Sequence, residues 1–89
     1  MADENTIYVG KKPTMNYVLA CVTLFHNGQK DVIVKARGKA ISKAVDVVQV
    51  VKNKFLQDLK IDKIEIGTEE VENEGKKLNV STISITVKK

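Results

Sequence analysis

Apolar positions change their period several times along the chain, and each period predicts an element. Thr6 to Gly10 (TIYVG) is a short apolar run that reads as a strand. Pro13 then stands where a first helical position belongs, and it biases Lys12 toward extended backbone. Apolar residues at 15, 18, 19, 22 and 25 form one helical stripe, and those at 17, 20, 21 and 24 form another. The helix should run to about Asn27, with Gly28 just past its end. A helix apolar around most of its girth needs two burial partners. The sheet supplies one, and a second subunit is expected to supply the other.

Asp31 to Arg37 (DVIVKAR) predicts a buried strand closed by Gly38. A second helix is expected from about Lys39 to Leu56, with a core stripe of Ile41, Ala44, Val45, Val48, Val51 and Phe55. The remainder reads as a long hairpin, Lys60 to Glu72 and Leu78 to Lys88, turning at Asn73-Glu74-Gly75-Lys76. Alternation changes phase in both strands: Ile64 and Ile66 give way to Val71, and Leu78 and Val80 to Ile83, Ile85 and Val87. A phase change moves side chains to the other face unless a bulge intervenes. Gly67, facing Ser81-Thr82, is the expected bend where the hairpin becomes a projecting arm over about 67–80. The order β-α-β-α-β-β predicts an α/β two-layer sandwich with a mixed sheet and a right-handed first crossover.

Composition narrows the class. The 89 residues suit a single domain, 1–89, with a loose N-terminus at 1–5. A core this small is marginal, so pairing with a second copy is expected. Cys21 is the single cysteine, which excludes an internal disulfide and a Cys-rich zinc site. Cys21 and His26 lie five apart, do not share a helix face, and read as a core thiol and a helix-end imidazole. No cofactor, metal or membrane segment is expected, and a soluble, cytoplasmic protein is. The net charge of +4 is unevenly spread. Nine Lys/Arg face four Asp/Glu through Phe55, and six face seven afterwards. Such asymmetry concerns partners rather than fold.

The cations also sit in a telling place. Parallel strands end at one sheet edge, and the segment after each strand is basic: Lys11 and Lys12 after the first, then Arg37, Lys39 and Lys43 at and after the second. Each basic segment leads into a helix N-terminus with no acid in its first turn, against the usual preference of ~0.3–1 kcal/mol. Free amides, helix dipoles and cations converge as an anion site requires, and phosphate is the obvious anion. Tyr8, Tyr17, Phe25 and Phe55 are the only aromatics, and three lie in core-like patterns. That favours contact with a duplex backbone over stacking of many unpaired bases. Tyr8 itself alternates with core residues and fits either face.

The stretches IYVGKKPTMNYVLA, VIVKARGKAISKAVDVVQVVKNKF, KIEIGTE and VSTISITVKK resemble the Alba family across nearly the whole chain. The resemblance implies the fold of the C-terminal domain of translation initiation factor three. It implies a homodimer on double-stranded DNA, with RNA as a further ligand, that coats and compacts chromosomal DNA of archaea. By motif position, Lys11, Lys12, Arg37, Lys39 and Lys43 would contact nucleic acid. Lys11 would be the acetylated lysine, with an acetyltransferase and a deacetylase as partners, and Phe55 the contact between neighbouring dimers. Lys39 stands where relatives carry arginine, which weakens the case for a forked phosphate contact there. The arm departs further. It carries Glu69, Glu70, Glu72 and Glu74 against Lys76 and Lys77 at a tip of Asn73, Glu74, Gly75, Lys76 and Lys77, a balance that opposes phosphate.

Other readings stand beside this one. An RNA chaperone or a more selective DNA-binding regulator fits the modest charge and the acidic arm. A small phosphohydrolase would need a phosphate loop with a paired Asn, and none stands beside Arg37. A protein-interaction module would show no salt-dependent binding of nucleic acid. Phe55 also suits closure of the core, and Lys88-Lys89 read as a solvated tail.

Overall fold

The computed structural model describes residues 5–89. Strand β1 (Thr6–Tyr8) lies parallel to β2 (Asp31–Arg37), with Thr6 opposite Ile33 and Tyr8 opposite Lys35. Parallel neighbours require a crossover, and helix α1 (Thr14–His26) provides it. Pro13 is the cap rather than the first helical residue, its ψ of 149° still extended. The helix ends at Gly28, whose φ of 99° is left-handed. The Gly28 amide donates to the Phe25 carbonyl and the Gln29 amide to the Leu24 carbonyl, both at 3.1 Å. These are the paired bonds of a Schellman end. Lys89, expected in a solvated tail, instead donates its ammonium to the Phe25 carbonyl at 3.3 Å. A cation suits the negative end of the helix dipole.

The expected second helix is composite. A 3-10 turn (Gly38–Ala40) leads into α2 (Ile41–Val50), and a π-helical turn (Val51–Phe55) ends it. The wide turn is closed by the Leu56 amide donating to the Val51 carbonyl at 2.7 Å. Strands β3 (Lys60–Asn73) and β4 (Lys76–Lys88) form the hairpin, and the sheet runs β1-β2-β4-β3. The hairpin turn falls where expected, with Glu74 and Gly75 both at positive φ (52° and 77°), the geometry that suits the twist of paired strands.

Two expectations about the hairpin change. The ladder runs unbroken through Gly67 opposite Thr82 and Thr68 opposite Ser81, so there is no bulge at Gly67. The register shift lies between Ile61 and Lys63, where Asp62 is the extra residue and its carboxylate meets Lys88 at 3.2 Å. Pairing of β2 with β4 ends at Arg37 opposite Thr82, so beyond that point β3 and β4 have only each other. The expectation of a loose N-terminus falls mostly on residues 1–4, which lie outside the described residues. Asn5 itself is tied down: its side chain donates to the Asp31 carboxylate at 2.9 Å, and its carbonyl accepts from the Ile33 amide at 2.8 Å.

Both helices pack on one sheet face. Val18, Cys21 and Phe25 of α1 and Ala44, Val47 and Val48 of α2 meet Ile7, Val9, Val32, Val34, Ala36, Ile85 and Val87. Val47 thus belongs to the core, whereas Val45 and Phe55 are exposed and Ile41 only half-buried. The sheet's share of the core comes from β1, β2, β4 and the residue after β1. Strand β3 is left bare: Ile61, Ile64 and Ile66 share the helix-side face with Val87, Ile85 and Ile83 by register, yet Ile64 is 58% and Ile66 83% exposed. The opposite face of the sheet carries no helix.

Candidate nucleic-acid interface

The shared edge of β1 and β2 is built as the sequence pattern implies, but two residues have roles there that the pattern does not reveal. After β1 the chain turns through Gly10, Lys11 and Lys12 into α1. Tyr17, one turn into that helix, reaches back over the turn. Its hydroxyl accepts from the Gly10 amide at 2.9 Å and the Lys12 amide at 3.1 Å. From α2, the Lys43 ammonium donates to the Gly10 carbonyl at 3.1 Å and the Lys12 carbonyl at 2.9 Å. Four bonds to two residues therefore fix the loop, leaving the Lys11 and Lys12 side chains exposed.

Lys43 accordingly has a different position from the one its motif suggests. Its charge is directed at two backbone carbonyls rather than free at the surface. Lys39 is exposed within the 3-10 turn, and Arg37 is exposed at the end of β2. Among the described residues, Lys11, Lys12 and Lys39 form no ion pair with a carboxylate. Neither helix entry carries an acid in its first turn or a capping side chain. The edge thus combines exposed cations with helix entries that no side chain caps, a combination that attracts anions. Gly38 suits this junction: it has a left-handed φ of 59°, and a Cβ there would lie 3.3 Å from a Val80 methyl of the hairpin, a tight contact.

The arm's acids are placed differently from the expectation that all four crowd the tip. Glu69 lies at the root, where its carboxylate meets the Arg37 guanidinium at 3.3 Å. Glu70 pairs with Lys77 at 3.8 Å. Glu72 and Glu74 form no ion pair among the described residues, and the tip itself is Asn73, Glu74, Gly75 and Lys76, then Lys77. Val71, Leu78 and Val80 share one face of the arm by register. Phe55, for which both core closure and a contact between dimers were open, sits 43% exposed on the π-helical turn and is not among the buried core residues.

Cys21 is buried, and burial pushes its thiol from 9.0 up to about 11. Among the described residues no group of three or more His, Cys, Asp or Glu is placed to hold a metal, and no helix is long and apolar enough to cross a membrane.

A two-layer sandwich with cations clustered at the ends of its parallel strands defines an anion-binding protein of the nucleic-acid-binding class. Residues 5–68 match the Alba family, and the chain belongs to it. The chain is 56% identical over 90 residues to the "DNA/RNA-binding protein Alba" of Methanocella arvoryzae, covering 100% of this chain and 94% of that protein. It is 55% identical over 87 residues to the protein of the same name from Thermoplasma acidophilum, with 98% of each covered. The solved structure of Alba from Thermoplasma volcanium superposes with a TM-score of 0.93 at 53% identity, covering 96% of this chain and 100% of that one. An Alba protein of Trypanosoma brucei gives 0.82 at 31% identity, covering 100% of this chain and 72% of that one. The tip of the arm and β4 lie outside the matched residues 5–68.

Proposed function

We propose that this protein is a binding protein rather than an enzyme, and that it coats duplex DNA, with RNA as a second ligand, by laying its basic edge on the phosphate backbone. The observation that carries the reading is the pinned loop. Tyr17 and Lys43 hold Gly10 to Lys12 by their backbone, which leaves the Lys11 and Lys12 side chains exposed, as those of Arg37 and Lys39 are. Contacts to phosphate position a protein without reading sequence, so binding is broad. The names of its relatives, which specify DNA and RNA, support the same reading.

The working unit is a homodimer. The bare helix-side strip of β3, Ile61, Ile64 and Ile66, together with Val45 of α2, supports a second copy as its cover. Dimers then associate along DNA through Phe55 and compact the chromosome in the cytoplasm. Lys11, exposed and without an acidic partner among the described residues, is accessible to an acetyltransferase and a deacetylase, and loss of its charge weakens binding.

The experiment is a titration of several duplexes of unrelated sequence across salt concentrations, with sedimentation of the free protein. Affinities alike across sequences, falling steeply with salt, and a dimer mass are expected. Salt-independent binding, or a single preferred sequence, contradicts the proposed contact, and a monomer at micromolar concentration contradicts the assembly.

A further inference from the structure

The sheet face turned away from the helices is not featureless. It holds an open trough of about 720 Å³ beside the basic edge. Its outline is set by the strand register. One row runs across all four strands as Tyr8, Lys35, Ser84 and Glu65, each the Cα partner of the next. The adjoining row is Arg37, Thr82 and Gly67. Strand spacing and rise make this footprint about 14 Å by 7 Å. The centre is low because its residues are small, and Gly67 has no side chain at all. A Cβ there would stand 3.3 Å from the Thr82 hydroxyl, over the floor. By register one side is Tyr8 with Lys35 and the other is Glu65, and the Arg37–Glu69 ion pair joins the two sides at one end.

We propose that this trough receives one unpaired nucleobase of a single-stranded nucleic acid, stacked on Tyr8. The inference rests on the reading of the chain as a nucleic-acid-binding protein and assigns that protein a second contact. Tyr8 is 67% exposed, more than any other Tyr or Phe of the chain, on a face that no helix covers among the described residues. An exposed ring with a polar tip offers a stacking platform. The charges define which part of a nucleotide enters. Among the described residues Lys35 has no carboxylate partner, whereas Glu65 is paired with Lys63 at 3.6 Å and Glu69 with Arg37 at 3.3 Å, so phosphate is drawn to the Lys35 side. The base then lies over the floor, where the Ser84 and Thr82 hydroxyls can both donate and accept.

Position adds a further constraint. Tyr8 is three residues before Lys11, and Arg37 ends the strand that pairs with β1, so trough and basic edge are continuous. A single strand whose phosphates track the edge passes a base over Tyr8. A duplex with the same phosphate contacts keeps its bases paired and stacked, out of reach of the ring. The scarcity of exposed aromatics weighs against stacking many bases and not against stacking one.

The test uses the full chain and fluorescein-labelled 12-mers of RNA and of DNA with the same sequence, unstructured, beside a 20-base-pair duplex. Binding is monitored by anisotropy for the wild type, Tyr8→Ala and Tyr8→Phe. Tyr8→Ala should weaken single-strand binding about 5- to 150-fold, the loss of one base–aromatic stack, and leave the duplex within about twofold. Tyr8→Phe should bind all probes as the wild type does, since the ring remains. Losses with both single strands identify the base as the recognised group. A loss confined to RNA adds recognition of the ribose hydroxyl by Ser84 or Thr82. Equal losses for duplex and single strand, or no loss for either, overturn the proposal while leaving the duplex-binding reading intact. Absence of binding to any probe by the wild type overturns both.

Discussion

Replacing Tyr17 with Phe removes one oxygen atom and tests whether the basic loop is held by the bonds described. The ring keeps its packing against the core, so the perturbation is confined to the hydroxyl. Two amides lose their acceptor. Lys12 is exposed, and its amide can turn to water at little cost. Gly10 is half-buried, and its amide is the more costly orphan. A neutral hydrogen bond contributes about 0.5–1.5 kcal/mol, and an unsatisfied buried group costs about 1–3. One partly buried and one exposed loss together give roughly 1–2 kcal/mol. For a domain of this size that lowers Tm by roughly 5–15 °C. Binding should change in a distinctive way. The lysines keep their charges but must be re-ordered on binding, which reduces duplex affinity about 3- to 10-fold. The salt slope should stay as in the wild type, because no phosphate contact is removed. Calorimetry and anisotropy titration across salt measure both quantities. A Tm within about 1 °C of the wild type, or a slope reduced as by deletion of a lysine, would refute the loop-clamp argument.

Lys43→Met should also lower Tm, since it removes both donors to the Gly10 and Lys12 carbonyls; an unchanged Tm would show that those bonds contribute nothing. Glu69→Gln should raise duplex affinity roughly 2- to 5-fold at low salt by releasing Arg37 from an exposed ion pair worth ~0.2–1 kcal/mol, with the gain fading as the screening length shortens to ~8 Å; a gain that persists in an Arg37→Ala background would show that the pair is not the cause. Cys21 predicts a pH effect: the unfolded thiol loses its proton near 9.0 and the folded one near 11, so its contribution is fully present below pH 9.0 and is lost as pH rises to about 11. That loss amounts to about 2–3 kcal/mol. Urea midpoints for the wild type should therefore fall more steeply than those of Cys21→Ala over this range, and parallel curves would contradict the assignment.

The order of elements is legible in the sequence because period and punctuation agree. Apolar alternation in DVIVKAR, the three-and-four spacing of the helices, Gly28 and the Asn73–Lys76 turn each give one answer. The convergence of the basic loops comes from topology alone, since parallel strands must end at one edge. The features that escape the sequence depend on the third dimension. Tyr17 reads as one more apolar position in a helix, and only the fold places its hydroxyl over a loop five to seven residues earlier. Lys43 looks like another surface cation, and nothing in a linear pattern aims it at carbonyls more than thirty residues away. The acids of the arm can be counted in the sequence, but pairing decides which of them is free, and the Arg37–Glu69 contact joins elements far apart in the chain. The phase change in β3 is visible, and because the ladder keeps its register from Lys63 to Asn73 it means that Val71 faces the other side of the sheet from Ile64 and Ile66; the bulge at Asp62 lies before the change and leaves no such mark in the pattern. Val45 and Phe55 satisfy the helical period and still lie outside the core, because the buried stripe runs through Ala44, Val47, Val48 and Val51, with Val45 beside it and Phe55 on the π-helical turn.

Exposed cations at the ends of β1 and β2 are the groups that should bind the nucleic-acid backbone. The most direct measurement is the salt dependence of duplex affinity for the wild type and for Lys11→Ala, Lys12→Ala and Arg37→Ala, each with its fold checked by circular dichroism. The slope of log affinity against log salt should become shallower by about 0.9 for every phosphate contact removed, similarly for duplexes of different sequence. Folded variants that keep the affinity and the slope of the wild type would contradict the account.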